Sequence, residues 1–233
     1  LGEVNLPRLG IAFSGGPTPA EIVSCVKLAE TLGYESAWVA EGHGGDQFAT
    51  LSACAMQTSD IQLGTSISSV FVRSAPTIAM AAATVDDISD GRFILGLGSS
   101  HKVQVVPEHG VEYVKPLTRV RDTVALVRAL LRDGEVDGSG ETLNIDHFDL
   151  WFKPRRAKIP IYLSAVFDKM TALTGEIADG IILTRSTLET AGAIKAPLAQ
   201  GAARAQRDSS AVDITSLIPT TVADTRAQAL DRM

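Results

Sequence analysis

Short, unbroken apolar runs alternate with stretches of helical period along most of this chain. The runs cover Leu9–Ser14, Ala37–Ala40, Ile61–Ile67, Arg92–Leu97, Ile159–Val166, Gly180–Thr184 and Val212–Pro219. A continuous apolar run marks a strand buried on both faces, as in a parallel sheet covered by helices, whereas a half-exposed strand would alternate. Between the runs lie helix signals. Thr18 and Glu21 form a capping box with Pro19 at the first helical position, and Ile22, Val23, Val26, Ala29 and Leu32 follow at spacings of three and four up to Gly33. A second helix carries Leu51, Ala53, Cys54, Ala55 and Met56. A third opens at Pro76, runs through Val85 and Ile88, and is turned by Ser89-Asp90-Gly91. Leu117–Arg132 reads as a charged amphipathic helix, and a last helix begins near Asp224.

Two stretches break this rhythm. Ser99–Pro116 mixes Gly, Pro, Glu, Lys and His without sustained period and reads as a functional loop, and Gly138-Ser139-Gly140 begins a polar excursion that ends at Trp151-Phe152. Spacings of about thirty residues between most strands suit a repeating β/α unit, and their regularity favours a TIM-type (β/α)8 barrel over a doubly wound sheet. The expected strand count is seven, one short of a complete barrel, in a single α/β domain over residues 1–233. A dinucleotide fingerprint is lacking. Gly96-Leu97-Gly98 is only GxG, and position 101, where a third glycine would stand, holds His101.

Composition narrows the class. With 45% apolar and 21% charged residues the chain can bury a large core, and its formal charge of −6 argues against a nucleic-acid partner. Cys25 and Cys54 fall on helices with no CxxC pair and no His at ligand spacing, which favours buried reduced thiols, no metal and a cytoplasmic setting. No run is long enough to span a membrane, and the first residues do not read as a signal peptide. HExxH, GxSxG and Cys-centred arrangements are missing, so hydrolase readings lack support.

Candidate chemistry gathers where strands end. In a β/α barrel, ligands bind at the carboxyl ends of the strands, and Ala37–Asp46 (AWVAEGHGGD) places Glu41 and His43 just beyond the second strand. Taken alone, Glu41 is as well explained as a helix cap or a partner of Arg73 as by catalysis. Gly98-Ser99-Ser100-His101 and Ser164-Ala165-Val166 follow two other strands with small residues, so their backbone amides could approach a phosphate. Asp90-Gly91-Arg92 and Asp179-Gly180 precede their strands and belong to the opposite, structural face. His101 is near enough a strand end to reach a ligand, whereas His109 reads as an exposed side chain.

AWVAEGHGGD, IQLGTSI with Arg73 and Pro76, SDGRFILGLGSS, HGVEYVKPLTRVRD and EIADGIIL, in that order, resemble the luciferase-like family of flavin and deazaflavin oxidoreductases, most of all its deazaflavin-dependent branch. The resemblance implies a barrel whose last strand and helix are lacking here, through truncation or as a reduced natural form. It implies a ring system lying over the strand ends, backed by a bulge in the third strand at Ser66, Ile67 and Ser68 with a non-prolyl cis peptide at Ser66-Ile67. An acidic residue at the place of Glu41 is expected beside the cofactor. Many members follow it with His; here Gly42 takes that place and His43 comes one residue later. The implied activity is hydride transfer between coenzyme F420 and a small-molecule substrate, with Glu41 and His43 as catalytic residues; separately, an acidic chain with an apolar helical surface permits a homodimer. An FMN-dependent monooxygenase and a non-catalytic flavin-binding protein are the alternatives.

Overall fold

The computed structural model describes residues 8–184, 187 and 192–231. Seven parallel strands wrap in the order β1 (Gly10–Phe13), β2 (Ser36–Val39), β3 (Gln62–Thr65), β5 (Phe93–Gly98), β8 (Ile161–Ser164), β9 (Gly180–Thr184) and β10 (Asp213–Leu217), and the two-residue strand β4 (Ser68–Ser69) pairs with β5. This is a nearly closed TIM-type barrel. Helices α1 (Pro19–Thr31), α2 (Gln47–Ala55), α3 (Ala75–Ile88), α5 (Pro116–Asp133), α6 (Asp168–Ile177) and α7 (Lys195–Arg204) flank it, and α8 (Arg226–Asp231) comes last.

The helix starts follow the sequence chemistry. Thr18 and Glu21 make the reciprocal capping box, with Thr18 N–H donating to Glu21 at 2.7 Å. Asp46 caps α2 by accepting from Ala49 N–H at 2.9 Å, and Ser74 caps α3. Alternate strand residues divide between two cores. Ala37, Val39, Leu63, Phe93, Leu95, Leu97, Ile161 and Leu163 face the helices, and Trp38, Ile94, Tyr162 and Ile182 form a separate cluster inside the barrel.

That inner layer packs large against small. Trp38 lies opposite Gly64, and Tyr162 opposite Gly180, in the β2–β3 and β8–β9 registers. A Cβ on Gly64 would fall within the Trp38 ring, and one on Gly180 would come within 2.6 Å of the Tyr162 ring. The glycines are therefore set by their neighbours' volume. Below, at the amino ends of the strands, Arg92 donates to the carbonyls of Ala55, Thr58, Ile61 and Ser89, and Arg156 pairs with the buried Asp86. Asp90 pairs there with Arg155 and Asp179 accepts from Ile161 N–H, so Asp90, Arg92 and Asp179 all hold chain segments together at the amino ends of the strands, where their place in the sequence put them.

Several expectations need correction. Ser99–Pro116 contains a helix, α4 (Lys102–His109); only Val105 of its eight residues is buried and Pro107 interrupts it, so no apolar period could be read. The polar excursion holds an antiparallel hairpin of β6 (Glu135–Ser139) and β7 (Asn144–Asp149), in which Val136 alone is buried. The strands at either end of the order are not buried on both faces. β1 and β10 alternate between partly buried and exposed, because each has a partner on one side only among the described residues. Cys54 is buried but Cys25 only half-buried, and both thiols are free.

Candidate active site

The third strand is irregular where a ligand would meet it. Gly64 pairs with Ile94, and the next partners are Ser68 with Leu97, so four steps on one chain match three on the other. The extra residue makes a bulge. Thr65 repairs the ladder there: its Oγ1 accepts from Gly96 N–H and donates to Gly96 O, both at 2.8 Å. Gly96 has no room for a Cβ against the Thr65 carbonyl. The Ser66-Ile67 peptide is cis, as the resemblance implied.

The bulge turns Ile67 onto the inner cluster of Trp38, Ile94, Tyr162 and Ile182. A Cβ on Gly98 would come within 2.9 Å of Ile67 and 3.4 Å of Ser164, so these three residues meet in one small, half-open ledge at the strand ends. Ser68 goes elsewhere. Its partner Leu97 faces the helices, and its hydroxyl is fully buried without a hydrogen-bond partner, so only its backbone serves the ledge.

Glu41 stands beside this ledge. Its N–H donates to Ile67 O at 3.3 Å, its Oε2 accepts from Ser69 N–H at 2.7 Å, and its Oε1 accepts from Arg73 Nε. Arg73 also pairs with Asp46, and its guanidinium lies 5.1 Å from the centre of the buried Phe48 ring. Burial works against the charges here. The two carboxylates nevertheless hold the Arg73 guanidinium above its ordinary range, while the Ala49 amide and Arg73 hold Asp46 below its own. Arg73 was legible from sequence as a partner for Glu41, but the Ser69 amide and the Phe48 ring were not, since only the bulge and the α2 start bring them there.

The other predicted residues divide. His43 is 80% exposed, with Nε2 3.1 Å from Glu108 on α4, and does not join Glu41. Ser99 and Ser100 are half-buried, and Tyr113 donates its hydroxyl to Ser100 O at 3.3 Å while stacking on Phe71 at 4.5 Å, which ties the long loop to the segment after the bulge. His101 occupies the start of α4 with its ring toward Gln104, and neither it nor Phe167 at the start of α6 caps its helix by side chain. The first amides of α4 and α6 therefore stay free of side-chain caps, unlike those of α1, α2 and α3. Ala165 is buried, whereas Val166 and Phe167 are exposed at the rim. Among the described residues no group of three or more His, Cys, Asp or Glu could hold a metal, and no helix is long and apolar enough to cross a membrane.

Comparison with known proteins adds an independent line. The sequence profile of the family described as luciferase-like monooxygenase matches residues 5–233. The chain is 30% identical over 208 residues to the 5,10-methylenetetrahydromethanopterin reductase of Methanolobus tindarius, covering 89% of this chain and 63% of that protein. It is 30% identical over 211 residues to the F420-dependent glucose-6-phosphate dehydrogenase of Mycolicibacterium smegmatis, covering 84% and 62%. In three dimensions it resembles the coenzyme F420-dependent tetrahydromethanopterin reductase of Methanopyrus kandleri with a TM-score of 0.88 at 24% identity, over 96% of this chain and 69% of that one. The chain thus spans less than two thirds of the length of these two sequence relatives.

Proposed function

The chain belongs to the luciferase-like monooxygenase family, and from that premise we propose that it is an oxidoreductase that uses coenzyme F420 to transfer hydride to or from a small organic substrate. The observation that carries this reading is the ledge of Ile67, Gly98 and Ser164 beside Glu41. A flat ring fits such a ledge because the bulge advances the apolar side chain of Ile67 over Gly98, where a Cβ would collide with it. The names of the relatives support the choice of F420 over FMN.

Ile67 and the backbone of Ser66 and Ser68 would back the ring, and Gly98-Ser99-Ser100-His101 and Ser164-Ala165-Val166 would offer amides to a phosphate. When bound, the deazaflavin supplies a carbon that gives or takes hydride. The chain's own residues do the rest. Glu41 has both oxygens occupied, so it acts as a fixed negative charge that keeps the bulge in place. His43, at the rim against Glu108, is the group able to pass a proton between solvent and mouth.

Two further readings accompany this one. Leu28 on α1, Leu32 just past its end, Met56 at the end of α2, and Met80 and Ile88 on α3 are exposed on neighbouring helices, and these apolar side chains suit a homodimer. The two free thiols suit the cytoplasm. Equilibrium titration with F420 and with FMN tests the main proposal: saturable binding of F420 without FMN supports it. Binding of FMN with oxygen consumption would replace it with the monooxygenase reading.

A further inference from the structure

A second cleft lies at the other end of the barrel. It measures about 450 Å³ and opens at the amino ends of β8 and β9, between the last turns of α5 and α6. Arg128, Arg132, Lys158 and Arg207 line it, against Glu176 and Asp179, although the chain as a whole carries −6.

Both carboxylates are already spent. Asp179 accepts from Arg128 at 3.0 Å, from Lys158 at 3.1 Å and from Ile161 N–H at 3.0 Å. Glu176 is held by both Nη atoms of Arg121, at 2.6 and 2.7 Å, from outside the cleft. The cations keep capacity in hand. Arg128 uses Nη2 alone, and Arg207 caps the end of α6 by donating to Gly175 O and Ala178 O, with no carboxylate partner among the described residues. Among the described residues Arg132 is bound only to its neighbour Asp133, and Lys158 is 75% exposed. Ala157 and Ile177 add an apolar wall.

We infer that this cleft binds a phosphorylated small molecule carrying at least two negative charges. Guanidinium forks match phosphate oxygens in pairs, and a compact multiply charged anion best uses several convergent cations whose own carboxylates are satisfied. The volume suits a ligand of nucleotide size. The site is separate from the mouth, since its lining lies at the amino ends of the strands and the ledge at their carboxyl ends.

Amide chemical-shift mapping of the full chain at low salt tests this, with inorganic phosphate, pyrophosphate and adenosine 5′-diphosphate as probes. Pyrophosphate and the nucleotide should saturate, move the amides of Ala157, Ile177 and Asp179, and bind more weakly as salt rises. Tighter binding of the nucleotide than of inorganic phosphate supports a phosphorylated metabolite as the occupant, whereas equal binding of inorganic phosphate assigns the cleft to the free ion and overturns the inference. Arg132→Gln with Lys158→Gln, both at exposed positions, should weaken binding by about tenfold while leaving the fold intact. The inference is overturned if no probe saturates below about 10 mM. Shifts centred on residues 98–101 or 164–167, or an unchanged affinity in the double variant, would overturn it equally.

Discussion

Glu41 Oε2 accepts the amide proton of Ser69 at 2.7 Å across 28 positions of sequence. That bond, with Arg73 on the other oxygen, locks the end of β2 to the far side of the bulge. The carboxylate and the guanidinium are 15% and 21% exposed, so neither is well served by water if its partner goes. Arg73→Met should therefore destabilise the chain by about 3 kcal/mol, as for a buried pair deprived of one partner. Glu41→Gln keeps the shape and should cost less, about 1–2 kcal/mol. Chemical denaturation measures both. If they act on one another, the double variant should lose less than the two single losses added together.

The inner layer makes a sharper packing prediction. Gly64→Ala puts a methyl group into the Trp38 ring, and overpacking of this kind costs about 1–3 kcal/mol. Because the opposing atom is a side chain, Trp38→Leu in the same molecule should recover part of the loss. Gly96→Ala should find no such relief, since it meets the Thr65 backbone at the bulge. Thermal melts of the three variants separate these cases.

Acid should weaken the fold in a defined direction. Asp213 is held below the usual carboxylate range chiefly by Arg8, and its burial opposes this. For Asp179 burial pushes upward, and Ile161 N–H, Arg128 and Lys158 outweigh it. A depressed carboxylate contributes stability that is present above its unfolded value near about 3.9 and is lost as pH falls through the folded value. Tm should hold between about pH 5 and 8 and fall below about pH 4. Arg8 is 65% exposed, so Asp213→Asn should cost only about 1 kcal/mol at neutral pH. The same variant should show a shallower acid decline, and a decline as steep as the parent's would remove Asp213 from the account.

The thiols should separate by burial. Cys54 is fully buried and its thiol is pushed up to about 11, whereas Cys25 is half-buried. A thiol reagent at mild pH should modify Cys25 in the native protein and reach Cys54 only after unfolding.

Much of this architecture was legible because the inward and outward faces of the central strands are both apolar. Ala37–Ala40 and Gly180–Thr184 announce buried strands in any context, and Thr18 with Glu21 announces a helix start. What escaped were elements that bury almost nothing. α4 hides only Val105, and the β6–β7 hairpin hides only Val136. At the site, Glu41 and Ile67 could be picked out beforehand, but their contacts could not. Ser69 reaches Glu41 only because one extra residue shifts the register of the third strand. Trp38 and Gly64 carry no joint signal in sequence either, since their fit depends on pairing between residues 26 positions apart.

The most direct measurement is the site of F420 binding, read by amide chemical-shift mapping of the unaltered chain. A saturable titration is expected in which Ile67, Gly98, Ser164 and Ser69 move most, while Ala157 and Ile177 at the opposite end stay still. Saturable binding that leaves Ile67 and Gly98 unmoved, or no saturable binding at all, would contradict it.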